Sequence, residues 1–133
     1  MTATSEHITL DKVREWCGVA ARSCWDKGGE DTVILSVGRT LSITDAFVIS
    51  SATNPRQVRT MAEEVEERIK AAGGPPPIRV EGLDDARWVL MDFGDFVVHV
   101  LLDEAREFYQ LDRLWSDSEH WDWDRPEARA AGE

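Results

Sequence analysis

The segment from Trp88 to Leu102, WVLMDFGDFVVHVLL, restricts the fold of this chain more than any other part of it. Two apolar runs meet at Gly94, the residue best suited to the positive φ that a tight turn demands. Such a segment must form an antiparallel strand pair, with successive side chains on opposite faces. Trp88, Leu90 and Asp92 then share one face of the first strand. Three residues do not suit a purely structural hairpin. Trp88 opens the first strand, Asp92 ends it, and His99 interrupts the apolar second strand between its same-face neighbours Val97 and Leu101. A short helix bearing Arg106, Phe108 and Tyr109 follows.

Asp92-Phe93-Gly94 is also the magnesium-holding tripeptide of protein kinases, but that chemistry needs a glycine-rich loop, a strand lysine and a His-Arg-Asp loop. The sequence has none of them, and 133 residues cannot hold a kinase. Asp92 and Asp95 are adequately explained as residues flanking a turn.

Upstream, Leu10, Val13, Cys17, Ala20 and Cys24 recur at three- and four-residue steps, which predicts a helix from an N-cap near Thr9 to about Trp25. Lys27-Gly28-Gly29 ends it. Thr32–Val37 is a β-branched run read as a central strand, and Gly38-Arg39-Thr40 loops to a second strand over 46–50. A second helix is capped by Asn54, starts on Pro55 and has Gln57 placed to reach back over the cap. Its buried face is Val58, Met61, Ala62, Val65 and Ile69, and Glu64 with Arg68 and Glu66 with Lys70 pair on its solvated side. Gly73-Gly74 stops it, three prolines extend the chain, and a short strand at 78–81 precedes the hairpin. The predicted order is α-β-β-α-β-β-β-α, a small mixed sheet flanked by helices with a crossover helix between the second and third strands. Leu114-Trp115 is expected to fold back on the core. Residues 1–115 are read as one α/β domain and 116–133 as an acidic, disordered tail, unusual in carrying Trp121 and Trp123.

Composition narrows the function. A hydrophobic content of 42% and six tryptophans describe a packed globule. No apolar run approaches the ~20 residues that span a membrane, and the N-terminal residues lack a signal or transit pattern, so the expectation is a cytosolic protein. A net charge of −11 argues against a dedicated nucleic-acid surface and for a basic protein partner. The charge is uneven: residues 103–133 hold ten acidic side chains against four basic ones. Cys17 and Cys24 would sit about 10 Å apart along one helix, too far for a disulfide, and no histidine stands near enough in sequence to suggest zinc. They read as small core residues.

The sequence WVLMDFGDFVVHV followed by REFYQLDRLW closely resembles the ribosomal silencing factor, or Iojap, family, whose members read W-x-L-x-D-[YF]-G-D-x-V-V-H-V and R-x-F-Y-x-L-[DE]-x-L-W. ITDAFVISSATNPRQVRTMAEEVEERIK is similar to the family's S-D-Y-F-V-I-A-S-G-x-S-x-R-Q-V-x-A-I-A-x-x-V segment, so the resemblance runs from about Val33 to Trp115. Ala46 replaces the usual Tyr and Ala52 stands where Gly is common. The resemblance implies a nucleotidyltransferase-like α/β topology and a non-enzymatic role. Such a factor binds a basic protein of the large ribosomal subunit, the fourteenth in its standard list, and sterically blocks joining of the small subunit. A homodimer is compatible with it.

An enzyme of the same topology is the alternative, a divergent nucleotide- or phosphate-handling protein. It would need two or three strand carboxylates for a divalent metal and a Gly-Ser turn leading into a phosphate-binding helix. Here that turn is Ala52-Thr53-Asn54-Pro55, and Asp45 has no second acid two residues on. No catalytic residue, cofactor or metal site is expected. His99 is read as a half-buried histidine satisfied by a backbone carbonyl or Asp92. From the residues alone Trp88 suits core and interface equally, and the resemblance favours interface. The expected contact surface is Trp88, Leu90, Asp92, Phe93, Gly94 and His99, with Phe108 and Tyr109 beside it. Trp88 and Phe93 would be apolar anchors and Asp92 the partner of a Lys or Arg.

Overall fold

A computed structural model describes residues 2–38, 44–114 and 116–126. The first helix, α1 (Thr2–Asp26), begins well before the expected cap, so Thr9 lies inside it. Its apolar stripe is as read from the spacing: Val13, Cys17, Ala20 and Cys24 are fully buried, while Leu10 at the upstream end is exposed. Both cysteines are unpaired thiols in the core, and burial pushes the Cys24 thiol up to about 12. Strands β1 (Glu30–Ser36) and β2 (Ala46–Ala52) pair antiparallel. Arg39 and Thr40 of the intervening loop lie outside the described residues.

Helix α2 (Pro55–Ala71) forms for the reasons its sequence suggests. Asn54 Oδ1 accepts from the Gln57 amide at 2.8 Å, and Gln57 Oε1 reaches back to accept from the Thr53 amide at 2.8 Å. At the other end Gly73, with φ of +83°, and Gly74 direct their amides to Lys70 and Ile69 carbonyls, a Schellman stop. All five residues expected on its buried face are buried. Arg68 bonds Glu64 at 2.6 Å, as the spacing suggests, and also Asp26 at 2.6 Å, tying α2 to the end of α1.

Strands β3 (Arg79–Glu81), β4 (Trp88–Asp92) and β5 (Phe96–Leu102) follow, then α3 (Asp103–Tyr109), α4 (Leu111–Leu114) and β6 (Glu119–Trp121). The first eight elements run in the order expected. The sheet order is β3-β4-β5-β2-β1-β6, with β2 and β5 parallel across the α2 crossover and the other pairings antiparallel. The hairpin turns at Gly94, whose φ is +89°.

Part of the stretch read as a disordered tail is ordered. Residues 119–121 form an edge strand on β1, Trp121 is buried, and the Arg14 guanidinium lies 4.6 Å from its ring centroid. Burying a large ring overrides the polar composition around it. Trp115 and residues 127–133 lie outside the described residues.

Both long helices pack against one another and against the same side of the sheet. That side carries Val48, Val89, Met91, Phe96, Val98 and Val100, all buried. On the opposite side α3 lies over one end, against β5 and β2. There Arg106 passes beneath the helix to donate to the Asp31 carbonyl at 2.7 Å and Ser51 Oγ at 2.9 Å. Among the described residues no helix lies over its other end, around the Gly94 turn.

Candidate partner-binding face

The alternation of β4 decides which side chains reach the open side. Trp88, Leu90 and Asp92 are half-buried, while Val89 and Met91 are buried on the helix side. Register brings Leu90 beside His99, Asp92 beside Val97 and Trp88 beside Leu101. On the far side of β5 the parallel register sets Phe47 beside Val97 and Ile49 beside His99. Phe108 and Tyr109 project from the end of α3 at 72% and 49% exposure, and the Tyr109 ring lies 5.1 Å from that of Trp88. Seven of the eight expected contact residues, Trp88, Leu90, Asp92, Gly94, His99, Phe108 and Tyr109, thus fall on or beside one continuous face.

Phe93 is the exception. It is only 5% exposed and stacks on Phe96 at 4.7 Å, on the core side. The reason is parity: it stands two residues beyond Met91 and so falls on the side opposite to Trp88, Leu90 and Asp92. It cannot be an apolar anchor for a partner.

His99 is buried rather than half-buried, at 7% exposure, and its partner is neither a backbone carbonyl nor Asp92. Trp88 Nε1 donates to His99 Nδ1 at 3.1 Å. Burial disfavours the imidazolium and lowers the His99 pKa to about 4, so the ring is neutral near pH 7. Asp92 instead accepts from the Gly94 amide at 2.8 Å through Oδ1, fixing the turn, and its Oδ2 lies 3.5 Å from Arg79.

Three features of the face were not read from the sequence. Thr44, just ahead of β2, is buried beside Phe47, Ile78, Leu90, Asp92, Gly94, Val97 and His99, and with Arg79 these residues line a recess of about 340 Å³. Asp45 lies beside Asp95, whose backbone carbonyl accepts from the Asp45 amide at 2.8 Å; burial and then the Asp95 charge raise the Asp45 pKa. Distance along the chain hides that pair, since the two acids come from different strand ends. Gly82 adopts φ of +89°, and a Cβ there would run into the Trp88 carbonyl. A glycine directly after a short strand offers a turn signal but says nothing of that close approach.

The arrangement suits recognition better than bond chemistry. It offers an indole, apolar walls, the Asp92 carboxylate and one neutral histidine. Among the described residues no three His, Cys, Asp or Glu side chains gather as metal ligands, and no described helix is long and apolar enough to cross a membrane.

Comparison with known proteins agrees with the resemblance seen in the motifs. The family model described as "Ribosomal silencing factor during starvation" matches residues 10–133. The ribosomal silencing factor RsfS of Bacillus subtilis is 37% identical over 75% of this chain and 84% of its own length. That of Zymomonas mobilis is 47% identical over 56% of this chain and 55% of its own. A mouse protein named for mitochondrial assembly of the ribosomal large subunit is 33% identical over 68% of this chain and 40% of its own. A crystal structure of a Chromobacterium violaceum protein superposes with a TM-score of 0.72 at 29% identity, covering 89% of this chain and 94% of that one. With the family model spanning nearly all of the sequence and the fold shared as well, this chain belongs to the ribosomal silencing factor family.

Proposed function

We propose that the chain binds the large ribosomal subunit through the open sheet face and thereby keeps the small subunit from joining, lowering translation. The partner on the subunit is a basic protein, the fourteenth in the standard list. The observation that carries this reading is the half-covered face itself. Trp88 and Leu90 stand on a sheet side that the long helices leave bare, with Phe108 and Tyr109 beside them. A central tryptophan ringed by partly covered apolar groups is the usual composition of a binding hot spot. Asp92 on this face and the net charge of −11 suit a basic partner and steer its approach.

The mechanism is steric. An object of this size docked where two subunits meet needs no chemistry to prevent their contact, and no bond is made or broken. The helix start at Ala52-Thr53-Asn54 has no Gly-Ser turn to hold phosphate, and Asp45 with Asp95 makes a pair of acids rather than a metal-binding triad. A homodimer built on the same face would compete with the subunit, so self-association and ribosome binding would exclude each other. Work in the cytoplasm fits this function.

Sedimentation of the purified protein with isolated subunits tests the reading. Co-sedimentation with large subunits alone is expected, weakening as salt screens the acidic charge. Equal binding to both subunits that survives high salt would refute it.

A further inference from the structure

The fold leaves two polar atoms of the recess buried and unanswered. Among the described residues neither His99 Nε2 nor Thr44 Oγ1 has a hydrogen-bond partner. Both residues line the recess beside the Gly94 turn, with Phe47, Leu90 and Val97 as apolar walls. Trp88 is not part of that lining; it holds the opposite edge of the imidazole through Nδ1. An indole can only donate, so Nδ1 must accept, and a neutral imidazole then carries its proton on Nε2. The edge of His99 turned away from Trp88 therefore carries an unmet donor, buried in the wall of the recess, which a partner atom reaches only as that wall gives way. The edge contact with Phe47, ring centroids 4.7 Å apart, is a second-order interaction and leaves that donor's main capacity unused. Buried donors are seldom left this way in folded proteins, because the desolvation cost is not recovered.

We infer that the recess is a socket for a carbonyl oxygen of the partner, from its backbone or from an Asn or Gln side chain. The oxygen accepts from His99 Nε2–H and meets the Thr44 hydroxyl beside it. The inference rests on the binding face proposed above and gives that face its specificity. A carboxylate is disfavoured in the socket, since Asp92 lines the same walls and the chain carries −11. A Lys or Arg head is disfavoured too, since it would set donors against the His99 donor; its place is at the rim, against Asp92. The Trp88–His99 bond is then part of the recognition device. It fixes which ring nitrogen bears the proton and so which partner atom is admitted.

Three measurements test the socket. Nitrogen-15 NMR of the histidine rings in the free protein is expected to show the His99 proton on Nε2. His99→Phe keeps a flat ring and Thr44→Val keeps the shape of the threonine; each strands a buried carbonyl, so each should weaken large-subunit binding roughly five- to a hundred-fold. Thr44→Val should do so with a melt close to that of the wild type. A cryo-EM map of the wild-type complex should place a carbonyl within hydrogen-bonding distance of Nε2 and shows whether backbone or amide side chain supplies it. If the wild type binds and both variants bind as tightly, or the proton sits on Nδ1, or no carbonyl reaches Nε2, the socket is overturned while the binding face stands. If the wild type does not bind large subunits, both fall.

Discussion

Trp88→Phe isolates the bond on which the face is organised. The change keeps a ring at the start of β4 and removes one N–H. His99 Nδ1 loses its donor at 3.1 Å, and because His99 is only 7% exposed, water cannot readily replace it. An orphaned buried acceptor costs about 1–3 kcal/mol. Trp88 is itself half-buried, so some relaxation is available and the lower part of that range, about 1–2 kcal/mol, is expected. In a domain of 133 residues this corresponds to a fall in melting temperature of roughly 3–8 °C. Trp88→Ala removes the ring as well, with its packing on Tyr109 at 5.1 Å. Its stability cost should exceed that of the Phe change but stay below the roughly 3–5 kcal/mol of a fully buried ring. Large-subunit affinity should fall at least thirty-fold for Ala, from the loss of about 2 kcal/mol at a central anchor. Melting and co-sedimentation on the same samples separate the roles. A wild-type melt for Trp88→Phe would refute the Trp88–His99 bond. Full binding by Trp88→Ala, or an Ala variant too unstable to melt cooperatively, would refute the anchor.

Acidification should destabilise the fold between about pH 6.5 and pH 4. The unfolded chain takes up the His99 proton near 6.5 while the folded chain resists it to about 4, so stability falls as pH drops through that window, by about 3 kcal/mol at most; His99→Phe should flatten this part of a urea-denaturation pH profile, and an unchanged slope would count against the burial argument. Gly82→Ala forces a Cβ against the Trp88 carbonyl at a positive φ and should cost at least 2 kcal/mol or so, with weaker subunit binding, as read by melting and co-sedimentation; a neutral result would mean that the turn relaxes freely. Trp121→Ala should lower stability by about 2–4 kcal/mol because the ring is buried under Arg14, whereas an unaltered melt would show that the edge strand contributes nothing.

Local chemistry wrote most of the fold legibly. The Asn54 cap with Pro55 and Gln57, the Gly73-Gly74 stop and the Val58–Ile69 stripe each act within a few residues, where spacing and side-chain reach are enough. The early start of α1 and the strand at Glu119–Trp121 were not legible. A polar stretch can be recruited by a single tryptophan once a sheet edge exists to receive it, and the edge is a product of the whole fold. Phe93 is a different case. Its place on the core side follows from strict alternation past Met91, and only the weight of a motif read as a contiguous patch put it on the surface.

The site follows the same division. That Trp88, Leu90 and Asp92 share a face is a statement about one strand and was available from period two alone. That Trp88 donates to His99 needs the β4–β5 register, which sets Leu90 beside His99 and leaves the indole two pairs further along on the same face, near enough to reach Nδ1. That Thr44 shares a recess with His99 needs in addition the parallel pairing of β2 and β5, a contact made only after α2 has carried the chain across. The number of pairings a feature depends on thus orders what the sequence discloses: faces first, bonds across one hairpin next, and the joint environment of two buried polar atoms last. Because the bond and the recess come from different pairings, they can be broken separately. Thr44→Val should leave the His99 tautomer unchanged, and Trp88→Phe should leave the recess walls in place.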